Sequence, residues 1–502
     1  MSGEARDRAC AHDDLARRSV HGALTSVLGQ GANFVLRIGS MMMIARLVTP
    51  EHFGLVTMVT AFTGMLGLFR DAGLAAATVQ RATVSQELLS TLFWINLAIG
   101  IALALIGVAA APLLVLFYGD PRLFWITVGI AVSFVFHGAQ AQHRAIMQRR
   151  LRFAAITLID IGSLIASIVL SVGMALAGYG YWALVAMATF QPFAGLVGVW
   201  LGARWMPGPP LRTTSDVHSV LHYGGVLTLN SLAVYIAYNA DKVLVGRFLG
   251  AEAVGTYGRA YQLISLPTDN LHTALSAVMF PALARVQHQP ERLRVFFLNG
   301  FTMFLIVVTP ITAACALFAD DIIHVFLGPQ WDEAAPVFRL LAPTGFALSL
   351  MNPMGYLMQA CGHAVRSLKI SLLIAPATLI GCALGLGHGV QGVAIGFSIA
   401  LVALVAPVMY LAVQGTRIHI GDALRAVVAP CLATALGSAA AFAAWQVLPP
   451  MGALVRLAIL STVLFATHAA VIALLPQTRL LLRDARRQLG RTGDGVHVSA
   501  AG

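Results

Sequence analysis

Several charged residues fall inside or at the ends of long apolar stretches of this sequence. They are Arg37, Arg70, Asp71, Asp241, Lys242, Arg259 and Asp269. If these stretches cross a membrane, each charge near the bilayer centre costs about 2.5–3.5 kcal/mol, so it must face a cavity or a partner. Arginine and lysine in a cavity suit an anionic ligand, and arginine holds phosphate oxygens in a bidentate way. We therefore expect Arg37, Arg70, Lys242 and Arg259 to bind an anionic ligand.

Asp241 and Lys242 are adjacent in YIAYNADKVLVG. Neighbours on a helix point about 100° apart, so each needs a partner on another helix or one turn away. The hypothesis is that Asp241 meets Arg37, or Lys242 meets Asp71, in one of two conformations.

Three acidic residues, Asp71, Asp241 and Asp269, are candidates for ion coupling or for gating pairs. Asp160 lies close enough to a span end that a capping or pairing role is favoured over proton coupling. His272, one turn beyond Asp269, is more typical of a packed histidine than of a proton relay.

The composition indicates a chain that lives in lipid. Of its 502 residues, 58% are hydrophobic and 11% are charged, against about a quarter charged in soluble domains. The net charge of +11 is scattered through short loops, which is typical of cytoplasmic loops and not of nucleic-acid binding.

A membrane-length window predicts an all-α polytopic protein with about fourteen transmembrane helices. The predicted spans are 21–45, 53–69, 88–116, 123–142, 154–177, 181–203, 220–245, 255–283, 296–318, 335–360, 368–386, 391–413, 423–446 and 456–475. The second and eighth are the least regular, because Gly, Arg, Pro and Asp interrupt them. Eight prolines are expected inside spans and can bend the helices.

The positive charges predict that both termini are cytoplasmic. With an even number of spans and both ends inside, 24 of the 32 Lys and Arg residues lie on the inner side, 4 on the outer side and 4 within spans. This asymmetry follows the positive-inside rule. At the outer span ends, Arg46 and Arg247 are expected to extend to lipid headgroups.

The sequence is internally duplicated. A shift of 201 residues places His21 on His222, Arg46 on Arg247, Glu51 on Glu252 and Gly54 on Gly255 without a gap. Six spans per repeat make the halves parallel, as in transporters that rock two bundles about a central cleft.

The duplication and the spans predict six parts. They are a cytoplasmic tail (1–20), an N-terminal lobe of spans 1–6 (21–204), a cytoplasmic linker (205–219), a C-terminal lobe of spans 7–12 (220–413), spans 13 and 14 (414–475), and a basic cytoplasmic tail (476–502).

Motifs for catalysis are missing from the sequence. It contains no GxxxxGK[ST], HExxH or GxSxG segment and no DxD pair. Four of its five cysteines lie in apolar spans, none in a CxxC pair, so they are expected to be packing residues. We expect no enzyme activity, no cofactor and no metal.

Four segments together resemble a known family. They are TPEHFGLVTMVTAFTGMLGLFRDAGLAAATVQR (49–81), STLFWINLAIG (90–100), NADKVLVGRFLGAEAVGTYGRAYQL (239–263) and VMFPALARVQHQPERLR (278–294). They resemble the oligosaccharide flippases of the multidrug/oligosaccharidyl-lipid/polysaccharide exporter superfamily, in particular the exopolysaccharide, colanic-acid-exporter-like branch. Spans 13 and 14 and the tails are similar only in hydropathy.

The resemblance implies a two-lobed transporter of the bacterial inner membrane. Its cargo would be an undecaprenyl-pyrophosphate-linked oligosaccharide repeat unit, moved to the periplasmic leaflet for polymerisation. Arg37, Arg70, Lys242 and Arg259 would contact the pyrophosphate or the sugar. An ion gradient would drive transport, and the other partners would be membrane lipids, a polysaccharide polymerase and chain-length machinery.

Three alternatives stay open at this point. A small-molecule or drug exporter could share the fold, but a cationic cargo would favour an acidic and aromatic lining. A membrane polysaccharide polymerase or ligase would need a catalytic constellation and a large outer loop. A membrane scaffold would have no reason to keep charge in lipid.

Overall fold

The structure is a computed structural model that describes residues 29–70, 78, 85–209, 232, 235–236 and 238–475. Within these residues the chain is helical and contains no strand. Lipid offers no hydrogen bonds to the backbone, so an open spanning segment must satisfy its N–H and C=O groups as a helix.

Among the described residues, fourteen helices overlap the fourteen predicted spans one to one. They are α1 (29–47), α2 (Pro50–Arg70), α3 (Gln86–Tyr118), α4 (Arg122–Arg149), α5 (Phe153–Leu176), α6 (Tyr181–Ala203), α7 (238–249), α8 (Ala251–Val286), α9 (Pro290–Leu317), α10 (Ala334–Ala360), α11 (Ala364–Gly385), α12 (Gly389–Val413), α13 (Ile420–Val447) and α14 (Ala453–Leu474). A short helix, Ala319–Phe326, lies between α9 and α10. The all-α polytopic prediction is confirmed.

Most of these helices are apolar enough to cross a bilayer. Ten stretches of the described chain meet that condition, and one of them, Val365–Val413, covers most of α11 and all of α12. The 36-residue α8 is not among them, in keeping with the polar residues that interrupt the eighth predicted span. The predicted prolines lie within helices: Pro192, Pro267, Pro310, Pro343, Pro353, Pro376, Pro407 and Pro430.

The chain forms two compact units. Among the described residues, unit 1 runs to Thr256 and also includes Phe326–Gln330, and unit 2 comprises Tyr257–Val325 and the chain from Trp331 onward. The two units are defined by which helices pack against one another, whereas the two predicted lobes are defined by the sequence duplication. The lobe limits 21–204 and 220–413 therefore stay predictions.

Small residues set the closest helix contacts in unit 1. Where α3 meets α4, a side-chain carbon at Gly138 would lie 2.5 Å from the carbonyl oxygen of Asn96, and one at Gly100 would lie 2.6 Å from that of Phe134. Helices associate in lipid through such backbone approach, because lipid tails are as apolar as the side chains.

The duplicated sequence produces a duplicated contact within unit 1. A side-chain carbon at Gly54 on α2 would overlap the carbonyl oxygen of Ala251, and one at Gly255 on α8 would overlap that of Pro50. The 201-residue shift places Pro50 on Ala251 and Gly54 on Gly255. The contact is thus symmetric under the repeat, and only glycine fits at either position.

The first residues of the predicted linker fold onto unit 1. His143 on α4 is fully buried, stacks on Trp200 with ring centroids 4.5 Å apart, and has Nε2 3.2 Å from the carbonyl oxygen of Trp205. Trp205 Nε1 donates to Oε1 of Gln86 at 2.7 Å, and the Gly208 N–H donates to Ser90 Oγ at 2.9 Å. These contacts tie the chain after α6 to the start of α3.

We predict that Gly138→Ala lowers the thermal unfolding midpoint of the purified protein. Overpacking a tight contact costs about 1–3 kcal/mol, and here the new carbon meets backbone. The matched control is Gly162→Ala on α5, where an added carbon meets no atom within 4 Å; alanine should be neutral or slightly stabilising there. Equal midpoints for the two variants would contradict the contact.

Candidate functional site

The structure places four predicted site residues in unit 1 and two in unit 2. Arg37 is exposed on α1, and Arg70 is half-buried at the last position of α2. Asp241 and Lys242 lie on α7. Asp71 lies outside the described residues. These positions do not test whether the residues share a cavity, which stays a prediction.

Lys242 finds a polar contact one turn back on its own helix. Its Nζ donates to Oδ1 of Asn239 at 2.8 Å, and Asn239 Nδ2 donates to the carbonyl oxygen of Tyr235 at 3.0 Å. The amide of Asn239 thus fixes the position of the ammonium group.

Asp241, in contrast to Lys242, is a buried carboxylate without a hydrogen bond to any described residue. It is only 2% exposed, and neither carboxylate oxygen has a hydrogen-bond partner among the described residues. The hypothesised contact with Arg37 is not formed in this conformation. A buried carboxylate without a donor is costly, and buried groups of this kind cluster where proteins carry out function.

Helix α7 and Tyr235, which precedes it, lie against α2 in unit 1. The hydroxyl of Tyr235 donates to the carbonyl oxygens of Thr60 and Ala61, at 3.3 and 3.1 Å. On α7, a side-chain carbon at Gly246 would lie 3.1 Å from Met58. Asp241 lies between these two contacts along the chain.

In unit 2, the candidates lie along α8. Arg259 is half-buried, and its Nη1 donates to Oε1 of Gln262. Asp269 is exposed. His272 is buried against Phe304, with ring centroids 4.8 Å apart, and neither ring nitrogen has a partner among the described residues. This agrees with the packed histidine that the sequence favoured.

Other charges near the membrane are neutralised by ion pairs. Arg144 on α4 holds both oxygens of Asp160 on α5, at 2.6 and 2.7 Å, which confirms the pairing role expected for Asp160. In unit 2, Arg456 on α14 holds both oxygens of Asp321. The sequence did not identify this partner, because 135 residues separate the two.

Further charged contacts lie at helix ends. Arg122, the first residue of α4, contacts Asp120 in the preceding loop and Glu51 in the first turn of α2, each at 2.7 Å. The hydrogen bonds from Arg122 hold the pKa of the Asp120 carboxyl below its ordinary value. Arg247 places its guanidinium carbon 5.7 Å from the ring centre of Phe117, a cation–π contact that the sequence did not suggest.

The described residues contain no group of three His, Cys, Asp or Glu side chains that could hold a metal. The charged side chains are therefore considered for two roles, ligand binding and ion pairing. Asp160 has a donor for each oxygen, whereas neither oxygen of Asp241 has one among the residues that the structure describes.

We predict that Asp241→Asn maintains or raises the thermal unfolding midpoint at neutral pH. The amide removes a buried charge that no described group compensates. Asp160→Asn should lower the midpoint, because it breaks a bidentate pair with Arg144. Asp269→Asn, at an exposed position, should leave the midpoint unchanged. A marked loss of stability in Asp241→Asn would show that the carboxylate has a structural partner.

Comparisons with known proteins agree with this architecture. The chain is 27% identical over 393 residues to the lipopolysaccharide biosynthesis protein WzxC of Escherichia coli K12, covering 76% of this chain and 78% of the relative. It is 27% identical over 323 residues to the succinoglycan biosynthesis transport protein ExoT of Rhizobium meliloti, covering 63% and 64%.

Among solved structures, the fold is similar to the lipid II flippase MurJ in an inward closed conformation, with a TM-score of 0.70 and 12% identity over 90% of this chain and 99% of that chain. It is also similar to an inward-facing multidrug resistance transporter of the MATE family, with a TM-score of 0.60 and 14% identity over 76% and 96%. At these identities the likeness concerns the fold.

The family model described as "Polysaccharide biosynthesis protein" matches residues 43–336. This match covers more than half of the 502 residues, and it confirms the resemblance predicted from the sequence. The chain therefore belongs to this polysaccharide biosynthesis protein family.

Proposed function

We propose that this protein is a flippase that moves undecaprenyl-pyrophosphate-linked oligosaccharide repeat units across the bacterial inner membrane by alternating access. The observation that carries the proposal is that a polysaccharide-biosynthesis family match coincides with a fold similar, over 90% of the chain, to that of the lipid II flippase MurJ. The protein is a transporter and not an enzyme.

The cargo chemistry suits the candidate cations. A pyrophosphate carries several negative oxygens, and arginine and lysine bind such oxygens through charge-assisted hydrogen bonds. Arg37, Arg70, Lys242 and Arg259 are the proposed contacts. Lys242 is already oriented by Asn239 at 2.8 Å, so binding would cost less conformational entropy.

Asp241 is the proposed gating or coupling group. This carboxylate is 2% exposed and has no donor among the described residues in this conformation, so it is stabilised if another conformation supplies one. We propose that Arg37 is the donor in that state, that Asp71 meets Lys242 in one of the two conformations, and that Asp269 is a further gating or coupling group. A ligand that competes for these cations would then shift the population between the states.

The proposed orientation places both termini in the cytoplasm. It is supported by the distribution of Lys and Arg, of which 24 of 32 fall on the same predicted side. In this orientation the cargo is loaded on the arginine-rich side and released on the other, where a polysaccharide polymerase and chain-length machinery would use it.

A second candidate is export of a small molecule on the same fold, favoured by the likeness to a multidrug transporter with a TM-score of 0.60. The excess of Arg and Lys among the candidate residues argues against a cationic drug as cargo. Accumulation of lipid-linked repeat units in a strain that lacks the protein would distinguish the candidates.

We predict that Arg37→Ala and Arg259→Ala reduce polymer export by about tenfold or more, since each removes a charge-assisted contact of about 1.5–3 kcal/mol. Export would be measured as extracellular polymer in a deletion strain that expresses each variant, with immunoblots to verify membrane insertion. The matched control is Arg285→Ala, at an exposed position in the last turn of α8. Normal export by both variants would refute the cation assignment.

The deletion strain also tests the function itself. We predict that lipid-linked repeat units accumulate on the inner leaflet, where an added glycosidase or periodate cannot reach them in intact spheroplasts. Single repeat units accessible on the outer leaflet would instead identify the protein as a polymerase.

A further inference from the structure

A cavity of about 460 Å³ lies at one end of unit 2, and none of the candidate cargo residues lines it. Three connections form it: the one between α8 and α9, the one between α10 and α11, and the one between α12 and α13. Its polar or ionisable lining side chains are Gln287, His288, Cys361, His363, Thr416 and Arg417. Its volume falls within the range of about 300–1,000 Å³ that is typical of small-ligand sites.

The lining is basic. His288, His363 and Arg417 contribute side chains to it. Arg366 borders it as well, since its Nη2 lies 3.9 Å from the position that a side-chain carbon of Gly415 would take. The Nη1 of Arg366 donates to the carbonyl oxygen of Gln414, which fixes the guanidinium beside the cavity.

The acidic residues nearby are already engaged. Glu291 accepts from Arg417 at 3.1 Å and lies 3.8 Å from Arg294, and Asp422 accepts from Arg294 at 3.0 Å. The side chains of Arg417 and Glu291 are 68% and 62% exposed. Exposed pairs of this kind contribute about 0–1 kcal/mol, so Arg417 can exchange Glu291 for another anion.

Two further groups suit an anion. His363 precedes the first residue of α11, and its Nδ1 is buried without a hydrogen-bond partner among the described residues. Pro290, the first residue of α9, also lines the cavity. Helix N-termini carry a partial positive charge that favours anions, and here they add to the cationic side chains.

We propose that this cavity binds a phosphate group. Tetrahedral phosphate presents several acceptor oxygens, which match guanidinium and imidazole donors. The ligand could be the headgroup of an anionic phospholipid or a soluble phosphate. The cavity lies on the arginine-rich side, and basic pockets between helices on the cytoplasmic side bind anionic headgroups. This site is separate from the proposed cargo contacts and goes beyond them.

The test uses the full-length protein in neutral detergent and measures its thermal unfolding midpoint. One arm adds phosphatidylglycerol in mixed micelles and is compared with phosphatidylcholine at the same concentration. A second arm adds sodium phosphate and is compared with sodium chloride at equal ionic strength. Because a ligand that binds the folded state stabilises it increasingly as its concentration exceeds Kd, the midpoint should rise more with phosphatidylglycerol than with phosphatidylcholine, more with phosphate than with chloride, or both.

The variant His363→Gln/Arg417→Gln should need about tenfold more ligand for the same shift as the wild type, because two charge-assisted contacts are lost. The matched control is Arg292→Gln, an exposed arginine on α9 that donates to Gln289 at 2.9 Å and does not line the cavity. It should behave like the wild type.

The outcomes separate the sources of the phosphate. A shift with phosphatidylglycerol alone identifies a lipid headgroup, and a shift with inorganic phosphate identifies a soluble ligand. Midpoints no higher than those in phosphatidylcholine and in sodium chloride, or an equal shift in the double variant, overturn the proposal. If the double variant does not fold, His288→Gln, at an exposed position, is measured in its place and judged in the same way. None of these outcomes depends on polymer export, so this experiment tests phosphate binding independently of the proposed cargo.

Discussion

The free-energy cost of an uncompensated charge in a medium of low dielectric determines how the charged side chains of this protein are arranged. It explains why Arg144 grips both oxygens of Asp160 and why Arg456 grips both oxygens of Asp321. Each pair joins two elements, α4 to α5 and the short helix Ala319–Phe326 to α14, and neutralises both charges. They also make Asp241 conspicuous: it is the acidic side chain on α7, it is buried, and it has no donor among the described residues in this conformation. In a protein with a single conformation, an uncompensated buried charge only lowers stability. In a protein that alternates between conformations, the same free-energy cost can shift the equilibrium toward the conformation that supplies a donor.

A second constraint is the backbone contact of α2 with the first turn of α8. Gly54 and Gly255 correspond in the duplicated sequence, and each approaches the carbonyl oxygen that the duplication predicts. The same four-residue spacing that brings Gly54 to Ala251 also brings Gly255 to Pro50. The duplicated sequence thus supplies both sides of this contact, because each repeat provides a glycine and, four residues earlier, the carbonyl oxygen that the glycine of the other repeat approaches. The acidic residues Glu51 and Glu252 begin the same turns, where a negative charge complements the helix dipole.

Most of the fold could be predicted from the sequence because lipid imposes a simple rule. Apolar runs of sufficient length must be helical, so each predicted span has a corresponding helix, even where Pro267 or Pro353 interrupts it. Partners distant in sequence could not be predicted in the same way. Nothing local in the sequence indicates that Trp205 and Gln86 meet, or that three separate connections place His288, His363 and Arg417 around one cavity. Asp241 stands out in the sequence because it is an acidic residue within a predicted span. That it has no donor among the described residues is known only from the packing of α7 in the structure.

The adjacency of Asp241 and Lys242 has a geometric meaning. Because neighbours on a helix point about 100° apart, the two charges cannot neutralise each other along α7. Lys242 instead contacts Asn239 one turn back, and this contact satisfies one of its donors without removing its charge. Asp241 turns into the packed part of unit 1 and contacts no donor among the residues that the structure describes. Under the proposed function, the pair separates two tasks within one turn of helix: Lys242 would bind an anionic cargo, and the free energy of the Asp241 carboxylate would depend on the conformation that surrounds it. Placing both on one rigid helix couples them mechanically, since any rotation of α7 that exposes one must also reorient the other.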